Sequence, residues 1–220
     1  MEDLSLKICQ SAFFDSCESA NEAFCIPRLF AELRFDLSTI SLKDIPSLHL
    51  PEKLIFTCRS GNLNYNERLK AYLFALDLGV NYIDLDFETD FDLLRILQPK
   101  ISNSKTQLIL SQHNYSSTPD FVKLKESAQK AFDFGADIAK IITTANSKND
   151  LENIYRLYQH FDNLIAFSMG EIGVVSRAKI LTLGAPYTYA SFSNAEKTAP
   201  GQIDFQQTMD LYHKIKTENL

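Results

Sequence analysis

The sequence alternates short apolar runs with longer segments of helical periodicity, and this alternation limits the possible folds more than any other feature. At Gly79, Gly135 and Gly184, a helical segment ends at a glycine that is followed directly by an apolar run. Glycine after a helix readily adopts the left-handed conformation that ends the helix and turns the chain into the next strand. The repeated pattern therefore predicts βα units and a parallel sheet.

Eight apolar or alternating runs are predicted strands, and the third to the eighth are clearer than the first. They span residues 6–11, 30–36, 54–59, 81–86, 107–113, 138–143, 164–169 and 186–191. Eight strands alternating with helices favour a closed (β/α)8 barrel, the TIM barrel, over an open doubly wound sheet. No linker rich in Pro, Gly or Ser divides the chain, so we predict a single α/β domain over residues 1–220.

Two helices have recognisable limits in the sequence. The hydroxyl of Thr118 stands just before Pro119, a residue suited to the first helical position, and a periodic stretch follows to Phe134. Apolar residues at helical spacing predict a further helix over residues 148–161. We interpret both apolar faces as helices packed on a sheet.

Charge and cysteine content narrow the class of protein. A net charge of −6 without a run of Lys or Arg argues against a nucleic-acid surface. Cys9, Cys17, Cys25 and Cys58 lack metal-ligand spacing, so we predict no zinc site and expect reduced, mostly buried thiols. Neither a signal peptide nor an apolar run of about 18 residues is present, which predicts a cytoplasmic protein with no membrane contact.

Lys140 is an ionisable residue inside an otherwise apolar strand. It shares one face of the strand with Ile138 and Ile142. Burial disfavours the ammonium form, and a neutral amine is the nucleophile of Schiff-base enzymes. A structural alternative remains open, because a lysine at a strand end can extend to solvent or pair with a carboxylate.

His113 closes the strand before that of Lys140. Neighbouring barrel strands lie about 4.8 Å apart, so residues at their C-terminal ends can meet over one mouth. A catalytic Lys and His pair is therefore geometrically reasonable. The alternative for an isolated His at a strand end is a hydrogen-bonded residue with a structural role.

Further charged residues cluster at predicted strand ends. Glu32, Arg34 and Asp36 share one face of the second strand, and Asp84, Asp86 and Glu88 share one face of the fourth strand and the residues after it. Arg59 ends the third strand, and Arg177 follows the seventh. Guanidinium groups bind carboxylates through two parallel hydrogen bonds, so these arginines would suit a small anionic substrate. Surface salt bridges are the alternative for each arginine alone.

These segments together resemble the type I 3-dehydroquinate dehydratase family over about 170 residues. The matching pieces are 32–36 (ELRFD), 56–59 (FTCR), 82–86 (YIDLD), 111–115 (SQHNY), 118–119 (TP), 135–141 (GADIAKI), 169–170 (MG), 176–177 (SR) and 198–202 (TAPGQ). Each piece is short, but their order and spacing make a chance match improbable. The resemblance implies a TIM barrel lyase of the shikimate pathway, in aromatic amino acid biosynthesis, that dehydrates 3-dehydroquinate to 3-dehydroshikimate.

The resemblance also implies roles for individual residues. Lys140 corresponds to the lysine that forms a Schiff base with the substrate ketone, and His113 to the general acid and base. Glu32, Arg34 and Arg59 are expected to contact substrate hydroxyls. Arg177, Thr198 and Gln202 are expected to hold the carboxylate. The covalent imine implies no metal and no other cofactor, and since dimers are common in the family, a homodimer is one expected state.

The chain departs from the family in the segment after Arg59, where relatives carry a glutamate that orients the catalytic histidine. Here residues 59–65 contain no carboxylate. We hypothesise that Asp86 orients His113 instead. Two other functions remain open from sequence: a different Schiff-base barrel of the class I aldolase type, and a non-catalytic barrel retained for binding.

Overall fold

The computed structural model describes residues 4–192 and 201–218, and within them eight strands alternate with helices. The strands are β1 (Ile8–Ala12), β2 (Phe30–Arg34), β3 (Lys53–Thr57), β4 (Tyr82–Asp86), β5 (Gln107–His113), β6 (Ile138–Thr144), β7 (Leu164–Met169) and β8 (Thr188–Ser191). The α-helices are α1 (Cys17–Phe24), α2 (Tyr65–Leu78), α3 (Phe91–Ser102), α4 (Phe121–Asp133), α5 (Lys148–Arg156), α6 (Gly170–Thr182) and α7 (Phe205–Glu218). Short 3-10 helices span Ser5–Lys7, Leu42–Ser47 and Leu157–Gln159.

Every strand pairs in parallel with its neighbour, in the order β7-β6-β5-β4-β3-β2-β1-β8. The last strand, β8, returns to pair with β1, in the register Gln10 to Ala190. The sheet therefore curls into a nearly closed barrel surrounded by helices. The predicted TIM barrel is confirmed.

Side chains alternate between the two faces of the barrel wall. The inner face carries an apolar cluster near the start of the strands, formed by Phe30, Ile55, Ile109, Ile138, Ile165 and Tyr187. The outer face packs a second apolar cluster against the helices. Two residues beyond this inner layer, the inward positions of β2, β4 and β6 hold Glu32, Asp84 and Lys140. The barrel interior thus changes from apolar to charged toward the C-terminal ends of the strands, where TIM barrels place their active sites.

The three glycines that end helices have the predicted conformation. Gly79, Gly135 and Gly184 have φ angles of 81°, 86° and 105°. Predicted strands were less accurate at their ends: β1 and β8 begin two residues later than predicted, and β2 and β3 end two residues earlier. Asp36 and Arg59 therefore follow strands instead of lying in them, because the ladder ends once the polar mouth is reached.

Two helix predictions were wrong in detail. The N-cap of α4 is Asp120, whose carboxylate accepts a hydrogen bond from the backbone N–H of Lys123. The hydroxyl of Thr118 instead donates to the carbonyl of Thr144, 2.9 Å away, so a tertiary contact replaces the predicted cap. The helix predicted over residues 148–161 ends at Arg156 and continues as a 3-10 turn.

The cysteines do not all occupy the expected environment. Cys9 and Cys58 are buried, but Cys17 is partly accessible and Cys25 is exposed. The expectation of mostly buried thiols therefore holds for two of the four. Within residues 4–192 and 201–218, no helix combines the length and the apolar character needed to cross a membrane.

Candidate active site

A cavity opens at the C-terminal mouth of the barrel. Seven residues singled out in the sequence line it together: Glu32, Arg34, Arg59, His113, Lys140, Arg177 and Gln202. The remaining lining residues are Ser11, Thr57, Tyr115, Ile142, Phe167, Met169 and Tyr189. Thr198, also predicted to bind substrate, lies outside the described residues.

Lys140 lies on β6 with only 5% of its surface exposed. Its Nζ atom is 2.9 Å from Oδ2 of Asp84 and 3.7 Å from Oε1 of Glu32. Nζ also lies 4.0 Å from the centre of the Tyr189 ring. The two carboxylates offset the cost of burying an ammonium group. Lys140 thus pairs with carboxylates, as in the structural alternative, and it also lines the cavity, as a Schiff-base lysine must.

Asp84 is the centre of the charged network, and its side chain is fully buried. Its Oδ1 atom accepts hydrogen bonds from Nη2 of Arg59 at 2.7 Å and from the hydroxyl of Ser111 at 2.6 Å, while Oδ2 accepts from Lys140. Burial would raise the pKa of Asp84, but the charges of Arg59 and Lys140 dominate and hold it well below its usual range. Asp84 is therefore a permanent carboxylate next to the amine.

Glu32 occupies a second fixed position beside the amine. The hydroxyls of Ser11 and Thr57 donate to its two oxygens at 2.6 and 2.9 Å. Burial opposes its ionisation, but Lys140 and Arg34 outweigh that effect, so the pKa of Glu32 is lowered. These contacts come from β1 and β3 on either side of β2 and hold the carboxylate in one orientation.

Arg34 and Arg59 have different surroundings. Arg34 forms a two-point ion pair with Asp36, with distances of 3.1 and 2.7 Å. Arg59 uses Nη2 for Asp84 and Ser111, whereas its buried Nη1 has no hydrogen-bond partner among the described residues. A buried donor without a partner is costly, so Nη1 is suited to a ligand oxygen in the cavity.

His113 lies at the end of β5, two residues beyond Ser111, the residue that pairs with Lys140 in the strand register. Its Nδ1 atom is 3.6 Å from Oδ2 of Asp86, beyond a full hydrogen bond but close enough for charge attraction. Burial lowers the pKa of His113 below 6.5, and although Asp86 acts to raise it, the net shift is downward. The imidazole is therefore neutral near pH 7 and able to accept a proton.

Asp86 is fixed by the turn that follows β4. Its Oδ1 atom accepts the backbone N–H groups of Glu88 and Thr89 at 3.0 and 3.1 Å, while Oδ2 is the atom nearest His113. Burial is outweighed by His113, Arg59 and these N–H groups, which lower the pKa of Asp86 to about 2. Asp86 is therefore a fixed carboxylate near Nδ1 of His113, and its orienting role stays a prediction.

Arg177, on α6, and Gln202, after β8, line the cavity on the side of β7 and β8. Both are almost completely buried, at 1% and 2% exposure. The guanidinium carbon of Arg177 lies 4.5 Å from the centre of the Phe167 ring. Burial lowers the pKa of Arg177 to about 10, so it still carries its charge near pH 7. A cation in such a dry site favours a carboxylate ligand.

Sequence reasoning did not assign a role to Asp84, Tyr189 or Phe167. For Asp84 the signal was present, because it shares the inward face of β4 with Asp86. Aromatic residues in barrel strands give no such signal, since they are also typical of an apolar core. Within the described residues, no group of three His, Cys, Asp or Glu side chains is arranged to hold a metal ion.

Sequence comparison identifies a family that this chain matches over most of its length. The family model described as type I 3-dehydroquinase matches residues 26–219. The 3-dehydroquinate dehydratase of Desulfotalea psychrophila is 34% identical over 222 residues, covering 94% of this chain and 97% of that protein. The 3-dehydroquinate dehydratase of Pyrococcus abyssi is 35% identical over 184 residues, covering 79% of this chain and 83% of that protein.

Solved structures show the same barrel. The type I 3-dehydroquinate dehydratase from Clostridium difficile with covalently modified comenic acid has a TM-score of 0.81 and 20% identity, covering 96% of this chain and 93% of that chain. The 3-dehydroquinate dehydratase from Aquifex aeolicus VF5 has a TM-score of 0.70 and 26% identity, covering 96% of this chain and all of that one.

Proposed function

Because the chain belongs to the type I 3-dehydroquinase family, we infer that it is a hydro-lyase that dehydrates 3-dehydroquinate to 3-dehydroshikimate. The observation that carries this inference is a buried amine, Lys140, in a cavity that also holds a neutral imidazole, His113. These two groups are what the removal of a hydrogen next to a ketone requires. The following steps are our proposal for how this chain performs the reaction.

We propose that Lys140 supplies the electron sink. After Nζ loses a proton to water in the cavity, the neutral amine adds to the C3 carbonyl of the substrate. The resulting carbinolamine takes a proton back as its C3 hydroxyl leaves as water, which gives the iminium ion. The positively charged nitrogen withdraws electrons from the adjacent C2–H bond and acidifies it. Since the imine itself accepts the electrons, the proposed reaction requires neither a metal ion nor an organic cofactor.

His113 is the proposed general base and then general acid. Its neutral imidazole accepts the C2 proton, and the electron pair of the C–H bond forms an enamine with the iminium carbon. The enamine expels the C1 hydroxyl, which leaves as water after taking a proton from the imidazolium. Hydrolysis of the product imine releases 3-dehydroshikimate and restores Lys140.

Asp84 is the proposed counter-ion of the iminium. It lies 2.9 Å from Nζ and stays ionised, so its negative charge favours the protonated imine. Only that protonated form is an effective electron sink. Arg59 and Ser111 hold Oδ1, which leaves Oδ2 to Lys140.

Asp84→Asn should therefore lower kcat by about 10- to 100-fold near pH 7, because the imine loses its proton more easily without the counter-ion. The loss should shrink as the pH is lowered, since acid restores the protonated imine until His113 also protonates. Steady-state kinetics between pH 5 and 9 measure this effect. A loss of equal size at every pH would show that Asp84 acts only on structure.

The substrate is held at two sides of the cavity in this proposal. Glu32, Arg34 and Arg59 contact the hydroxyl groups, and the unpaired Nη1 of Arg59 supports that placement. Arg177, with Gln202 beside it in the cavity lining, binds the carboxylate on the other side. Thr198 is proposed for the same carboxylate from its sequence position. A charged group at each side would fix the ring with C3 toward Lys140.

The proposal that Asp86 orients His113 makes a prediction about pH. Asp86 raises the pKa of His113 against the effect of burial, so Asp86→Asn should lower it further. Activity requires the neutral imidazole, hence the acid limb of the kcat/KM profile should move to lower pH. We expect kcat at the optimum to fall roughly tenfold, because the ring is held less firmly. Unchanged kinetics and an unchanged profile would exclude the orienting role.

We also propose a cytoplasmic location and a homodimer. None of the four cysteines forms a disulfide among the described residues, which suits a reducing compartment. Exposed apolar side chains that a second subunit could cover include Phe91, Ile96 and Val122. Light scattering of the purified chain would measure the state of assembly.

One experiment tests the proposed reaction. The protein is mixed with 3-dehydroquinate, the conjugated product is followed by ultraviolet absorbance, and borohydride is added during turnover. Product formation with a reduced adduct mapped to Lys140 by mass spectrometry is the expected result. An adduct formed only with other ketones would favour an aldolase, and the absence of both signals would favour a binding protein.

A further inference from the structure

Asp90 stands at the N-cap position of α3, yet its side chain does not cap that helix. Its Oδ2 atom accepts the backbone N–H of Asp86 at 3.0 Å, and its Oδ1 atom accepts from Nη2 of Arg68 at 2.7 Å. The Asp90 side chain is fully buried, and 6% of the Arg68 side chain is exposed. An aspartate that would ordinarily stabilise its own helix is thus turned back toward the end of β4.

Arg68 connects this aspartate to the neighbouring strand. It lies on α2, outside the barrel wall, and its Nε atom donates to the carbonyl of Cys58 at 2.9 Å. Cys58 is the residue directly before Arg59. One turn further along α2, the hydroxyl of Tyr72 accepts the N–H of Cys58 at 3.0 Å and donates to the carbonyl of Asp84 at 2.9 Å. Helix α2 therefore binds the backbone of both strand ends that carry the charged network.

We propose that Arg68 and Asp90 are positioning residues, a buried ion pair behind the barrel wall that anchors the end of β4 to the backbone after β3 and thereby sets Asp86 against His113. The expected effect on kcat rests on the proposed function, whereas the expected effect on the pKa of His113 does not depend on the substrate. We call Arg68 and Asp90 the outer pair. Neither residue lines the cavity.

The form of the outer pair favours positioning over simple stability. A buried ion pair is often no more stable than apolar residues of similar volume, because both charges lose their hydration. Because the Asp90 carboxylate is used in the pair, the start of α3 has no side-chain cap. The pair fixes the backbone at two strand ends. Arg68 donates to the carbonyl of Cys58, beside Arg59, and Asp90 accepts the N–H of Asp86.

The position of Asp86 can be read from the ionisation of His113. The charged groups that act on this imidazole are Asp86 and Asp84 from β4, Arg59 after β3 and Lys140 from β6. Asp86 is the largest influence that raises the pKa of His113. Loosening the turn that holds Asp86 should therefore lower that pKa, in the same direction as Asp86→Asn.

The test is an NMR titration of the histidine ring protons together with kinetics. The chain has four histidines, so the signal that disappears in His113→Asn identifies His113. Asp90→Ala should lower the pKa of His113 and reduce kcat about tenfold, with KM changed less than about twofold. Asp90→Asn, which keeps an acceptor for the N–H of Asp86, should recover part of both losses.

A double variant and a matched control decide the cause. If Asp90 acts through Asp86, then Asp86→Asn with Asp90→Ala should be no slower than Asp86→Asn alone. Asp137→Ala is the control: Asp137 accepts the N–H of Leu108 at 2.7 Å, at the opposite end of the barrel, and its loss should leave the His113 titration unchanged.

Two results would overturn the inference: a folded Asp90→Ala protein with wild-type titration and kcat, or losses that add to those of Asp86→Asn. If Asp90→Ala does not fold because Arg68 is left as an unpaired buried charge, the charge-free combination of Arg68→Met with Asp90→Ala replaces it, with the same expected results. If the wild-type protein does not convert 3-dehydroquinate, the proposed function is wrong. The NMR titration of His113 still decides whether the outer pair positions Asp86.

Discussion

Replacing Lys140 with alanine is expected to abolish the dehydration of 3-dehydroquinate, with a loss of at least about 10⁴-fold in kcat. Among the described residues that line the cavity, Lys140 is the only amine. Arg34, Arg59 and Arg177 cannot replace it, because a guanidinium stays protonated and does not form an imine. Without the iminium, the C2 hydrogen is adjacent only to a neutral ketone, and no electron sink forms.

The measurement combines turnover with borohydride trapping. Lys140→Ala should give neither product nor a mass increase after reduction. Lys53→Ala is a matched control, since Lys53 begins β3 at the opposite end of the barrel, with its Nζ atom 5.6 Å from the centre of the Phe30 ring. That variant should retain wild-type turnover and the adduct on Lys140. Activity of Lys140→Ala above about 1% of wild type would contradict the imine mechanism.

Lys140 and His113 could be selected from sequence because they are ionisable residues in strands that are otherwise apolar. Parallel strands covered on both faces are expected to be apolar, so an ionisable residue at a strand end is conspicuous. Glycines after helices then defined the βα units, and the strand count defined the barrel. These signals are local in the chain, which is why the fold and the principal charged residues could be predicted without a structure.

Asp84 and the outer pair could not be selected in the same way. The role of Asp84 depends on which of several inward carboxylates meets the amine, and that depends on the register of β4 to β6 and on the barrel tilt. Arg68 lies on a helix and Asp90 stands before one, and both positions usually hold exposed charges. Only the three-dimensional arrangement shows that Arg68 and Asp90 meet behind the active site.

The described contacts form two connected layers of support for the proposed chemistry. Inside the barrel, Asp84 joins Lys140 to Arg59 and Ser111. Outside it, α2 binds the backbone at Asp84 and Cys58, so the two layers share the same strand ends. A change in the outer layer should therefore reach the cavity through backbone displacement, without any change in the residues that touch substrate.

Replacing His113 with alanine should separate imine formation from proton removal. We expect kcat to fall by about 10²- to 10⁴-fold, the usual contribution of a general acid and base. Lys140, Asp84 and Glu32 keep their mutual contacts in this variant, because none of those contacts includes the imidazole. The imine should therefore still form, and borohydride should trap it on Lys140 even though the His113→Ala variant converts substrate slowly.

Proton exchange distinguishes this result from a general loss of binding. In deuterated water, the wild-type protein should exchange the C2 hydrogen of 3-dehydroquinate, whereas His113→Ala should form the adduct without exchange. His49→Ala, at an exposed position away from the barrel mouth, should behave as wild type in both measurements. Exchange at the wild-type rate in His113→Ala would assign the proton to another base, and failure to trap the imine would show that the ring is also needed before C–H cleavage. The two measurements together therefore show whether His113 removes the C2 proton after the imine has formed.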